Sequence, residues 1–175
     1  MTIQEQIGKA RAALEQIADY TQEQVDRLVY ASAKVIYENA EPLAKEAVEE
    51  TRLGKYQHKI AKNKDTAVVF YDYLKDKKSV GIIREISEEG IIEVAHPVGV
   101  IAAITPATNP TVTPLGNFMH AIKGKNAVIV SPSPRAEKTS TDTVNLIREA
   151  LAQNGAPKDL LQIVKNTSVA KSKEL

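Results

Sequence analysis

The sequence predicts an α/β fold: a helical N-terminal half, a β-hairpin, then the first β-α-β-α-β of a parallel sheet. Three observations predict it. Residues 2–77 carry apolar side chains at steps of three and four, the period of a helix face. From Gly81 the period changes, and two β-branched runs flank a Ser-Glu-Glu-Gly turn. From Pro97 onward, apolar runs alternate with helical stretches, as strands joined by crossover helices do.

The first helix is expected over residues 2–19, with Ile3, Ile7, Ala10, Leu14 and Ile17 on one face. Thr21 and Gln24 form a capping box that opens the second, whose inner side is Val25, Leu28, Val29, Ser32 and Ile36. Pro42 suits the first position of a third helix, and Gly54 suits its end. A fourth helix, about 57–77, presents Ile60, Ala67, Phe70, Tyr71 and Leu74.

The hairpin pairs residues 81–86 with 91–95 across the turn 87–90. Its Ile82-Ile83 and Ile91-Ile92 pairs put apolar groups on both faces, which predicts cover on each side. A strand follows at Val98–Ile104, then a helix ending at Lys123, where Gly124 stops it. A second strand at Asn126–Val130 leads into Ser131-Pro132-Ser133-Pro134-Arg135. A long helix from about Ala136 to Gln153 ends at Asn154-Gly155-Ala156-Pro157. Leu160–Val164 is the third strand, and Asn166-Thr167-Ser168 suits the cap of one more helix. The divisions are 1–79 helical, 80–96 hairpin and 97–175 sheet. Three parallel strands are a meagre sheet, because parallel sheets bury both faces and edges.

Composition excludes several classes. Apolar residues make 43% and charged residues 26%, with a net charge of +1, so no bulk charge favours nucleic acid or an acidic membrane. No apolar run has the length of a membrane span, and the N-terminus lacks the apolar core of a signal peptide. A cytoplasmic protein is expected. With no Cys, disulfides, thiolate metal sites and thiol nucleophiles are excluded within these residues. His58, His96 and His120 fit no zinc spacing, so no metal site is expected.

Ligands of open α/β sheets bind beyond the carboxyl ends of the strands. Two loops lie there: Ile104-Thr105-Pro106-Ala107-Thr108-Asn109 and Ser131–Arg135. The first offers hydroxyls and an amide whose direction two prolines restrict, or else it merely connects strand to helix, with Thr108 or Asn109 as the cap. The second lacks the acidic residue that often holds a ribose, and Arg135 can pair with a phosphate. Arg135 has an equally simple reading as a solvated residue at a helix start. No Gly-x-Gly-x-x-Gly occurs, so the residues alone leave the cofactor unknown.

Several motifs in order carry a resemblance. Pro97-Val98-Gly99-Val100, Ile104-Thr105-Pro106 with Asn109-Pro110, and Lys125-Asn126-Ala127-Val128-Ile129-Val130 resemble the aldehyde dehydrogenase superfamily. TPATNP and SPSPRA, with TQEQVD and GAPKDLLQIV, resemble its CoA-acylating branch, including the aldehyde dehydrogenase half of bifunctional aldehyde-alcohol dehydrogenases. The resemblance covers nearly the whole chain.

It implies a Rossmann-like sheet and an NAD-dependent reaction in which aldehyde and CoA give acyl-CoA and NADH. It places NAD contacts on Ile104, Thr105, Pro106, Ala107, Thr108 and Asn109, with Thr108 or Asn109 as the helper that holds the oxyanion. Ser131, Pro132 and Arg135 would receive the adenosine end of NAD, or NADP, and of CoA. The nucleophile of the family is a Cys, which this chain does not contain, so no catalytic residue is assigned and the chain alone is expected to be inactive. The expectation is the first, cofactor-binding part of a homo-oligomeric enzyme. The alternative is a non-catalytic truncated paralogue that binds a nucleotide or CoA, or joins another subunit. The first helix has a minor second reading, as the address for a bacterial microcompartment.

Overall fold

The computed structural model describes residues 1–175. Helix α1 (Ile3–Gln16) opens on a capping box, in which Thr2 Oγ1 accepts from Glu5 N at 3.1 Å and Glu5 Oε2 accepts from Thr2 N at 2.8 Å. Helix α2 (Gln22–Glu38) opens on the box expected at Thr21 and Gln24. Helix α3 (Ala40–Thr51) begins two residues before Pro42, which is therefore its third residue and not its first. The position tolerates proline because N–H groups of the first turn have no partner within the helix. Arg52, at φ 55°, takes the left-handed position at the end of α3, two residues before Gly54. Helix α4 is Tyr56–Leu74.

Strands β1 (Gly81–Ile86) and β2 (Ile91–Ala95) form the antiparallel hairpin, with a register shift between Ile82 and Arg84. Arg84 and Glu93 pair across it through two bonds of 2.6 and 3.0 Å. The expected cover is absent within this chain: Ile82, Ile91, Ile92 and Val94 are exposed. The hairpin's fixed point is its root, where Gln22 Oε1 accepts from Ser79 N and Val80 N at 2.8 and 3.1 Å.

Beyond the hairpin come β3 (Val100–Thr105), α5 (Val112–Lys123), β4 (Ala127–Pro132), α6 (Glu137–Gln153), β5 (Leu161–Ile163) and α7 (Val169–Glu174). The strands form a parallel sheet in the order β3-β4-β5. Asn126 aligns its start. Its Oδ1 accepts from Val98 N and Gly99 N at 2.6 and 2.9 Å, and its Nδ2 donates to the carbonyls of Ala121 and Gly124.

Side chains alternate across a strand, so β4 feeds two layers. Ile129 packs with Ile3, Ile7 and Val164 on the side of α1. Val128 and Val130 join a 26-residue cluster with Leu115, Phe118, Met119, Ile147 and Leu151. Leu28, Val29, Ile36, Leu43 and Leu74 of the N-terminal helices belong to the same cluster, so those helices and the sheet share one core. Lys123, nearly buried, pairs with Asp26 at 2.5 Å and ties α5 to α2. No helix is long and apolar enough to cross a membrane.

Candidate functional site

Parallel register sets the two strand ends side by side. Thr105 lies opposite Pro132, and Ser133 N donates to Thr105 O at 3.0 Å. Strand alternation then sorts the first loop. Ile104 is 70% exposed, whereas Thr105 is 2% exposed. Thr105 Oγ1 has no hydrogen-bond partner, and a buried hydroxyl left so is costly. Pro106 and Thr108 are exposed, and Ala107 and Asn109 are half-buried.

The loop is held from outside by α4. Lys59 Nζ donates to Thr108 O at 2.7 Å, and Lys62 Nζ donates to Asn109 Oδ1 at 2.6 Å. Burial, and then the charge of Lys62, lower the pKa of Lys59 below its usual value. Helix α5 takes Thr111 as its cap, with no side-chain capping bond. Thr108 and Asn109 are thus not consumed in starting the helix.

The second loop is shorter than its sequence suggests. Ser131 and Pro132 are the last residues of β4 and are buried, so the loop begins at Ser133. Continued pairing with β3 accounts for this, because Ser131 lies opposite Ile104. Ser131 Oγ lies 2.9 Å from Ser172 Oγ of α7. A ligand reaching Ser131 would have to displace that contact. A single 3-10 turn, Pro134–Ala136, follows. Arg135 is exposed there, and one guanidinium nitrogen donates to Thr51 O at 3.4 Å, so most of its five N–H donors stay free.

Two carboxylates fix the start of α6. Glu50 accepts from Lys138 N and Thr139 N, each at 2.8 Å. Glu137 accepts from Asn166 N at 2.7 Å and from Thr167 N and Oγ1, each at 3.0 Å. Burial raises the Glu137 carboxyl, but the bonds from Thr167 and Asn166, with the charge of Lys165, outweigh it and hold it below its ordinary range. Sequence reasoning missed Lys59, Lys62, Glu50 and Glu137. The three-residue spacing of the two lysines puts them on one helix face, but only the tertiary packing of α4 shows what that face meets.

A cleft of about 450 Å³ runs along the free edge of β3, lined by Ile101, Ala102, Ile104, Asn117 and His120. His120 bonds through Nδ1 to Gly116 O at 2.7 Å and packs edge-on against Phe70, the behaviour of an ordinary helix-face residue. No three potential metal ligands converge. Together the strand ends offer the exposed apolar side chain of Ile104, the hydroxyl of Thr108, the Asn109 amide and the largely free Arg135 guanidinium, whereas the unpartnered Thr105 hydroxyl is buried. That set suits an elongated ligand with polar, flat apolar and anionic parts.

The sequence profile of the aldehyde dehydrogenase family matches residues 1–175. The acetylating succinate-semialdehyde dehydrogenase of Clostridium kluyveri is 50% identical over all 175 residues, which correspond to 39% of that protein. An acetylating aldehyde dehydrogenase from Geobacillus thermoglucosidasius superposes with a TM-score of 0.96 at 37% identity, over 98% of this chain and 38% of that one. The propionaldehyde dehydrogenase of Rhodopseudomonas palustris, solved with bound CoA and an acylated cysteine, superposes at 0.82 with 31% identity, over 99% of this chain and 39% of that one. The chain thus spans about 39% of the length of these relatives.

Proposed function

The chain belongs to the aldehyde dehydrogenase family, and from that premise we propose that it is the coenzyme-binding part of a CoA-acylating aldehyde dehydrogenase. The reaction is aldehyde, CoA and NAD to acyl-CoA and NADH. The observation that carries the reading is the pair of adjoining strand-end loops, with the exposed Ile104 and the Asn109 amide in one and the exposed Arg135 guanidinium, engaged at one nitrogen only, in the other. The acetylating relative and the CoA-bound structure support the acyl-transfer half of the reaction.

The residues present fit a dinucleotide. A bound dinucleotide would supply the acceptor for the hydride lost in aldehyde oxidation. Ile104 offers an apolar contact for a flat ring. Thr108 or Asn109 supplies a neutral donor to oxygen on which charge develops. Arg135 pairs with a ribose phosphate, present in CoA and in NADP. Pro132 and Ser131 form the floor beneath that group, with Ser131 reached only if Ser172 withdraws. The thiol nucleophile of the family is not among these 175 residues, so this chain alone carries no acyl transfer. The exposed faces of the hairpin serve contacts between subunits of a homo-oligomer, and the enzyme works in the cytoplasm.

Calorimetry with CoA and dephospho-CoA tests the Arg135 assignment. Arg135→Ala weakens CoA about tenfold, the worth of one charge-assisted pair, and leaves dephospho-CoA unchanged. Equal affinities of variant and wild type for CoA would refute it.

A further inference from the structure

The two lysines of α4 are a clamp on the first loop. Lys59 is 8% exposed and reaches the Thr108 carbonyl, while the exposed Lys62 reaches the Asn109 side chain. These bonds cross 49 and 47 residues of sequence, from the helical half of the chain to the end of β3. Gly54 gives the stem of Lys59 its room: a Cβ at Gly54 would lie 3.2 Å from Lys59 Cε, at a φ of +80° that already disfavours side chains.

The second bond has a chemical consequence. An ammonium group has three donors and no acceptor, so the Asn109 atom facing Lys62 must be the oxygen. The amide nitrogen then faces away from Lys62, and it takes no partner within the chain. Thr108, by contrast, is engaged only through its backbone carbonyl. We propose that Lys59 and Lys62 are positioning residues for the coenzyme site, with Lys62 turning the Asn109 amide so that its N–H groups are the donors offered to substrate oxygen. The assignment rests on the coenzyme-site reading of this loop and deepens it. It selects Asn109 over Thr108 as the neutral donor. It also makes α4 part of the site's support, although no residue of α4 need touch the ligand.

Backbone amide exchange and side-chain NMR on the 175-residue chain test the clamp, and NAD titration tests its purpose. Lys62→Met is the main variant, because Lys62 is exposed and its loss leaves the core intact. Lys59→Met keeps the buried stem and removes the ammonium. Each is expected to speed amide exchange about tenfold at Thr113, whose N–H closes the loop onto Asn109 O, and not in the core strands. Each also raises the Kd for NAD about tenfold, and Lys62→Met broadens the Asn109 side-chain N–H₂ signals. Lys62→Arg restores all three readouts. Unchanged loop exchange and unchanged Asn109 signals in both Met variants would overturn the clamp. Altered exchange with an unaltered Kd would overturn its role in the coenzyme site. If the wild-type chain shows no NAD binding, the function reading itself fails, and the exchange and side-chain signals still decide the clamp.

Discussion

Glu137 joins the start of α6 to the turn after β5, using both carboxylate oxygens on three donors. Burial opposes its charge, and the donors at Thr167 and Asn166 overcome that cost. Its carboxyl consequently titrates below the ordinary value of 4.5 in the folded chain. The sign of the pH dependence follows. Between the lowered folded value and the unfolded value, the unfolded chain binds more protons, so stability is lost as pH falls through that window. Above it the contribution is complete. Glu137→Gln is expected to flatten the acid limb of a urea-midpoint profile taken from pH 6 downward, with the two proteins converging at low pH. Parallel acid limbs would show that another carboxylate dominates. At this scale the sequence was partly readable. The types of Thr105, Asn109 and Arg135 suggested a site, because strand ends in a parallel sheet collect ligands. Lys59, Lys62 and Glu137 were not readable, since their partners lie 29 to 49 residues away.

Elements follow local chemistry closely where caps and periodicity are strong. The box at Thr21 and Gln24 opens α2 as expected, and Gly124 closes α5. Pro42 and Gly54 misled by two residues, because Asn39 already starts α3 and Arg52 already takes the left-handed conformation that ends it. Strand β4 outran its apolar run, since pairing with β3 continues through Ser131 and Pro132. The hairpin is the element whose sequence and surroundings disagree most. Ile92 and Val94 are 59% and 47% exposed, and an uncovered two-stranded ribbon is marginal by itself. Such a ribbon is a ready surface for a second copy. Ile92→Lys is therefore expected to lower self-association in sedimentation velocity while leaving the thermal midpoint of the monomer within about 2 °C, as exposed substitutions usually do. Self-association equal to that of the wild type would remove the hairpin from the interface.

Across the whole molecule, one core links the N-terminal helices to the sheet, so the loop at the end of β3 is braced by an element from the other half of the chain. That arrangement explains why the fold was legible and the site only half so. Alternating strands and crossover helices follow from hydrophobic period, which is local. The site follows from which helix packs beside which strand end, which is not. We propose that the strand-end loops of β3 and β4 bind the coenzyme of a CoA-acylating aldehyde dehydrogenase. An NMR titration of the isotopically labelled chain with NAD tests it most directly. Weak binding in fast exchange is expected, with shift changes concentrated in residues 104–109 and 133–136. A titration that leaves both loops unmoved, or that perturbs only the separate cavity lined by Gln6, Arg148 and Gln162, would contradict it.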